Sequence, residues 1–268
     1  MSFTDMGWVE PNSNSQIART KSTEYKPPTR VDSAEKNQFR TVLKSHHSEN
    51  RDDGFPATPN TAKGTRFINL GDAGVVGLNS HFQAHPDESA LFLSRNQIGD
   101  LGMARLAELV KSHQSMEHLI LSNNQISDAS AKSLKLLLAA TQRIGWLVLD
   151  HNSISDVGAN AIAAGLIENQ SVKHVVLADN HIGNEGAIGL GRMLAKNSTV
   201  QSLFLQGNPI GPEGVKGILD GLKHNTSLKI VDLRDILPLP PQLLRELSEV
   251  ARQKGIRLKI NSEMASGC

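Results

Sequence analysis

Five stretches of the chain repeat one pattern: LFLSRNQI (91–98), LILSNNQI (119–126), LVLDHNSI (147–154), VVLADNHI (175–182) and LFLQGNPI (203–210). Their asparagines, Asn96, Asn124, Asn152, Asn180 and Asn208, stand 28 residues apart. A fixed period in the range of about 20–50 residues marks stacked repeats, in which no unit buries its apolar face alone and each needs a neighbour. The period therefore constrains the fold before any other property of the chain does. A length of 268 residues then reflects how many units are stacked, not how many domains there are.

Within each unit the pattern changes from alternation to a helical period. Ile98, Ile126, Ile154, Ile182 and Ile210 follow the asparagines, then a small residue (Gly102, Ser130, Gly158, Gly186, Gly214). Apolar positions at helical spacing come next: Leu106, Leu134, Ile162, Leu190 and Ile218, then Val110, Leu138, Leu166, Leu194 and Leu222. Each unit reads as one strand and one helix, an α/β arrangement. The asparagine stands where the strand ends and the backbone turns inward. Its side-chain amide has the donors and acceptor to satisfy stranded backbone groups from coil to coil, so the column reads as structural.

The consensus L-x-x-L-x-L-x-x-N-x-I followed by a helix resembles the leucine-rich repeat of the ribonuclease-inhibitor-like class, which includes the repeat domains of NOD-like receptors, Ran GTPase-activating protein and tropomodulin. The match covers about residues 88 to 236. The resemblance implies a leucine-rich repeat solenoid, with a curved parallel sheet on the concave face and helices on the convex face. It implies little about function, because these families share a scaffold and differ in what they bind.

With caps the repeat domain is expected over 63–268. Phe67, Ile68, Asn69 and Leu70 read as a degenerate first strand, followed by a glycine-rich link (Gly71, Gly74, Gly77). Glu88 takes the first apolar position of the first full unit, and Ile236 stands where the next asparagine is due. Pro238, Pro240 and Pro241 break the spacing ahead of a final helix at 242–253, and Ile256, Leu258 and Ile260 alternate as a closing strand. Residues 1–62 carry prolines, Ser, Thr and balanced charge without a sustained apolar period, and are expected to be a disordered extension. A short helix at 34–43 and the isolated aromatics Trp8, Tyr25 and Phe39 are its contact candidates.

A net charge of +1 without a block of like charge offers no footprint for nucleic acid or an anionic membrane. The single cysteine, Cys268, excludes a disulfide framework or a cysteine zinc site. With no signal-peptide pattern and no membrane-length apolar run, the expectation is a cytoplasmic protein, monomeric when free, with a protein partner. No G-x-S-x-G, G-x-x-x-x-G-K or H-E-x-x-H occurs, so no catalytic residue, cofactor or enzyme activity is expected.

Strand alternation points Phe92, Ile120, Val148, Val176 and Phe204 away from the core, on the concave surface. Ala90, His118, Trp146, His174 and Ser202 lie on one side of this column, and Ser94, Ser122, Asp150, Ala178 and Gln206 on the other. An exposed apolar column marks an interaction site. The expected partner-binding residues are Phe92, His118, Ile120, Trp146, Val148, His174, Val176 and Phe204, with Trp146 the expected hot spot. His118, His151, His174 and His181 also gather there, but without ligand spacing, and no metal is expected. The expected function is a non-catalytic interaction module or scaffold, in a cytoskeletal or ciliary assembly by analogy. The alternative is a small-GTPase regulator resembling Ran GTPase-activating protein, from whose pattern the chain departs by lacking an acidic C-terminal run.

Overall fold

The computed structural model describes residues 64–261, with side chains from Arg66 onward. The expectations for residues 1–62 and for Cys268 lie outside these residues.

The described strands form one parallel sheet of eight, in chain order. They are β1 (Gly64–Arg66), β2 (Ala90–Phe92), β3 (His118–Ile120), β4 (Trp146–Val148), β5 (His174–Val176), β6 (Ser202–Phe204), β7 (Ile230–Asp232) and β8 (Arg257–Lys259). Between them lie α1 (Gly71–Val75), α2 (Leu78–Ala84), α3 (Asp100–Ser112), α4 (Ala131–Ala140), α5 (Asp156–Leu166), α6 (Asn184–Lys196), α7 (Pro212–His224) and α8 (Pro241–Gln253). A 3₁₀ turn at Asp128–Ser130 leads into α4. From β2 to β6 the sheet register equals the sequence period: Ala90 pairs with His118, His118 with Trp146, Trp146 with His174 and His174 with Ser202. The helices from α3 to α7 pack each on the next. Strands stack at about 4.8 Å and helices at about 8–10 Å, so the array must bend with the sheet on its inner side.

The main core runs the length of the stack. The expected strand positions Leu91, Leu119, Leu147, Val175 and Leu203 and both expected helical columns are fully buried in it. The asparagine column performs the bonding expected of it. Asn152 Oδ1 accepts from the Ile126 amide at 3.1 Å, and its Nδ2 donates to the carbonyls of Leu121 at 3.0 Å, Leu149 at 3.1 Å and Asp150 at 3.1 Å. Asn96, Asn124, Asn180 and Asn208 likewise accept from the amide 26 residues back, at Leu70, Ile98, Ile154 and Ile182.

Three further columns appear that the asparagine motif does not announce. The residue just before each asparagine is left-handed: Arg95, Asn123, His151, Asp179 and Gly207 all have φ between 50° and 72°. Most belong to the types that tolerate this region best. Asp72, Asp100, Asp128, Asp156 and Asn184 form a second column, in which each side chain caps the next unit's helix. Asp156 Oδ1 accepts from the amides of Gly183 at 2.7 Å and Gly186 at 2.8 Å, which are otherwise orphan donors of α6. Burial works against ionisation of Asp100 and Asp128, but hydrogen bonds from Ser127 and Ser130, and from Ser155 and Gly158, outweigh it and hold both below the usual carboxylate range. The small residue at Gly102, Gly158, Gly186 and Gly214 is explained by the same contact, because an added Cβ would meet the capping oxygen of the previous unit within 2.9 Å.

The last column closes the helix C-termini. Asn169, Asn197 and Asn225 reach back to carbonyls of the preceding unit and accept from their own turn. Asn169 Nδ2 donates to Leu138 and Thr141 at 2.8 and 2.7 Å, and its Oδ1 accepts from the Ser171 and Val172 amides at 2.9 and 2.8 Å. One unit earlier stands Thr141, whose buried hydroxyl has no partner among the described residues. Thr141→Asn therefore should add the bonds that Asn169 makes, to the Val110 and His113 carbonyls and the Arg143 and Ile144 amides. A gain of about 1–2 kcal/mol follows from making good unpaired buried groups, to be measured as a raised urea midpoint. A lowered midpoint would mean that the site is closed to the larger side chain.

The ends differ from expectation at the first unit. The strand expected at 67–70 lies earlier, at Gly64–Arg66, and Phe67 and Leu70 instead turn into the core at 4% and 5% exposure. Asn69 takes the left-handed turn at φ 53°, and the turn is shorter than in later units, so Gly64 pairs with Ala90. The glycine-rich link is helical as α1 and α2, because Gly74 lets the helix lie directly on Leu70. Glu88 is buried but hydrogen-bonded to His81 Nε2. At the other end α8 begins at Pro241 and β8 pairs in parallel with β7, as the spacing predicts. Asn261 Oδ1 accepts from the Asp235 amide at 3.0 Å where the column would otherwise stop at Ile236.

Candidate functional site

The sheet face opposite the helices carries three parallel rows set by strand alternation. Its central row is Arg66, Phe92, Ile120, Val148, Val176, Phe204, Asp232 and Lys259, all in register. Five apolar residues are thus bounded by a cation at one end and by Asp232 and Lys259 at the other. Asp232 is fully buried, and Arg234 binds it through Nη2 at 2.7 Å. Beside the row, Trp146 lies between two imidazoles, with ring centroids 4.1 Å from His174 and 6.4 Å from His118.

These side chains form a cluster of their own, separate from the main core: Ile120, Trp146, Val148, Val176, Ala178 and Phe204, with Phe92 and Ile230 packed against them. The expectation that they face open solvent is corrected. Trp146 is 4% exposed, Val176 2%, Ile120 and Val148 1%, and Phe204 0%, while Phe92 is half-buried. Alternation placed them on the outer face correctly, but being outside the core did not leave them wet.

The polar margin is also drawn inward. Ser122 Oγ donates to Asp150 Oδ1 at 2.6 Å, and Ser202 Oγ lies 3.1 Å from His174 Nδ1. Burial pushes the His174 imidazole down to about 4, with the charges of Lys173, His118 and Lys229 adding to the effect. His118 is lowered by burial too, partly offset by Glu117. Both rings are therefore neutral near pH 7, and the middle of the face carries no cation. His151 and His181 do not join this pair. His151 occupies a left-handed turn position with Nε2 at 3.4 Å from Asp179, and His181 is exposed.

Among the described residues the helix side has no comparable cluster. Leu101, Leu136 and Val157 are exposed at 57%, 50% and 60%, each on a different helix. Among the described residues no helix is long and apolar enough to cross a membrane.

Four segments, 90–107, 112–135, 168–191 and 196–219, match a family model described as Leucine Rich repeat. No curated protein matches the chain. Among solved structures, the actin-binding site 2 of leiomodin-1 is similar at 17% identity and a TM-score of 0.44, over 67% of this chain and 86% of that one. An internalin (inlF) from Listeria monocytogenes is similar at 23% identity and a TM-score of 0.43, over 65% of this chain and 48% of that one. A pollen receptor kinase 3 is similar at 20% identity and a TM-score of 0.40, over 64% and 72%. With the matched segments falling on strand–helix units of one parallel sheet, the chain folds as an α/β leucine-rich repeat solenoid.

Proposed function

We propose that the chain is a non-catalytic protein–protein interaction module whose partner binds the sheet face at Phe92, His118, Ile120, Trp146, Val148, His174, Val176 and Phe204. The observation that carries this reading is the second apolar cluster. Folding a repeat requires the inner face of each strand to be apolar, but it does not require the outer row to be apolar at five successive rungs. Trp146 between two neutral imidazoles supplies a large, rigid surface of the kind that anchors interfaces. Assignment to the ribonuclease-inhibitor-like subclass rests on the 28-residue unit. A scaffold role in a cytoplasmic cytoskeletal or ciliary assembly belongs to the same proposal, and rests on the layout of extension and solenoid.

The test compares partner recovery from native extract by the full chain, by Trp146→Ala with Val148→Thr, and by Leu101→Glu with Val157→Glu on the helix side. The first pair removes the anchor without inserting a charge. Recovery should fall at least about tenfold for the sheet-face variant, as for loss of a central hot spot, with helical circular dichroism retained. The helix-face variant should recover the same partners at full yield. Loss of recovery confined to the helix-face variant would contradict the proposal.

A further inference from the structure

The asparagines that close the helix C-termini share a second property. Asn169-Gln170-Ser171, Asn197-Ser198-Thr199 and Asn225-Thr226-Ser227 each spell N-x-S/T, the acceptor motif for asparagine-linked glycosylation, and the sequence holds no other copy of it. In a secreted protein that motif marks a surface loop, because the sugar is bulky and solvated. Here the three acceptor side chains are buried, Asn169 at 1% exposure, Asn197 at 4% and Asn225 at 3%. We infer that the chain folds in a compartment where no glycan is transferred to asparagine, and that transfer to the nascent chain would keep these units from closing on one another, whatever binds the sheet face.

Transfer forms a bond from the asparagine Nδ2 to the first sugar carbon, takes one of the two Nδ2 hydrogens and releases the lipid pyrophosphate that carried the glycan. Both hydrogens are already engaged. Asn169 Nδ2 donates to the Leu138 and Thr141 carbonyls at 2.8 and 2.7 Å. Asn197 Nδ2 donates to Leu166 and Asn169 at 2.7 and 2.9 Å, and Asn225 Nδ2 to Leu194 and Asn197 at 2.7 and 3.0 Å. Each of these carbonyls belongs to the preceding unit. A glycosylated asparagine would keep one donor for two acceptors, and the sugar would occupy the contact between units. The motif itself has a structural origin. Each Oδ1 accepts from the amides two and three residues on: Ser171 and Val172 at 2.9 and 2.8 Å, Thr199 and Val200 at 2.8 Å, and Ser227 and Leu228 at 3.0 and 2.7 Å. A hydroxyl residue suits the second position of that turn, where Ser227 Oγ donates to the Val200 carbonyl at 2.8 Å. Stacking thus selects N-x-S/T for its own reasons. Because the transferase acts on unfolded chain, burial in the finished fold gives the asparagines no protection.

The test translates the full chain, fused to a cleavable signal peptide, in a cell-free system containing microsomes. Glycan is read as a mass shift reversed by an amidase that cleaves asparagine-linked sugar, and folding as trypsin resistance against the chain made without microsomes. The lumenal product should carry glycan, and its repeat units should be cleaved at least about tenfold faster than in the microsome-free chain, since cleavage follows the population of opened chain. Two arms remove the sugar and keep the asparagines: a competing acceptor tripeptide that saturates the transferase, and the variant Ser171→Ala, Thr199→Ala and Ser227→Ala. Both should restore the resistance of the microsome-free chain, and the tripeptide arm decides the matter if the variant made without microsomes is itself unstable. A glycosylated product as resistant as the microsome-free chain overturns the proposal, because the sugar would then fit. A resistant lumenal product without glycan overturns it as well, because folding would outrun transfer. Fast cleavage that persists in the tripeptide arm also overturns it, because the lumen and not the sugar would be the cause.

Discussion

Asn152→Leu should lower the stability of the chain by about 1–3 kcal/mol, although leucine has nearly the same size. The substitution strands the buried Ile126 amide of the previous unit, and it takes one of two donors from the Leu121 carbonyl, which keeps Asn124 Nδ2 at 2.9 Å. Each buried backbone group left unpaired costs about 1–3 kcal/mol, and no water can replace the lost partner in a site 6% exposed. Because stacked repeats depend on the interfaces between neighbours, the break should weaken cohesion between the third and fourth strands more than elsewhere. Urea denaturation followed by circular dichroism reads the loss, and hydrogen exchange at the Ile126 amide reads its location. An unchanged midpoint would show that the ladder does not carry the stack.

Gly191→Ala should be at least as damaging, by about 3 kcal/mol or more, through overpacking. An added Cβ at Gly191 would stand 2.0 Å from the Gly217 carbonyl oxygen, and one at Gly221 would stand 2.2 Å from the Gly191 carbonyl oxygen. Ordinary C···O contacts start at about 3.3 Å, so α6 and α7 must separate by more than an ångström, and the rigid obstacle is backbone. Gly145→Ala is the matched control. Its nearest obstacle lies at 3.8 Å, and its effect should stay within about 0.5 kcal/mol. Equal melting midpoints for the two variants would mean that the helices are not in backbone contact.

The sequence reads well wherever a residue type repeats at the period. The asparagine ladder, the buried leucine and isoleucine columns, the final helix and the closing strand were all legible, because each follows from alternation, helical spacing or proline punctuation. Asn169, Asn197 and Asn225 repeat just as regularly, as do Asp72, Asp100, Asp128 and Asp156. Their capping roles stayed hidden because the partner of each lies in a neighbouring unit, a relation that a motif confined to one unit does not express. The misplaced first strand has a different cause. Phe67 and Leu70 look like alternating strand residues, but the shortened turn makes them the two core contacts on either side of a left-handed Asn69.

The sheet face was legible in membership and wrong in exposure. Alternation fixes which side of a strand a residue takes, so Phe92, Ile120, Val148, Val176 and Phe204 fell on the outer row as expected. Exposure depends on what lies above the row, and that is not a local property of the strands. The neutral state of His174 follows from its burial, the main cause of its lowered pKa. His151, grouped with it by sequence, proves to belong to the turn column.

The most direct test of the sheet face as the binding surface is photo-crosslinking from single positions of the intact chain in native extract. A photoreactive residue at Ser94 or Asn123, on the margin of the sheet side, should capture one set of partners in common. The same residue at Leu136 or Val157, exposed on the helix side, should capture none of them. Partners captured from Leu136 and Val157 but not from Ser94 or Asn123 would place recognition on the helices and contradict the account.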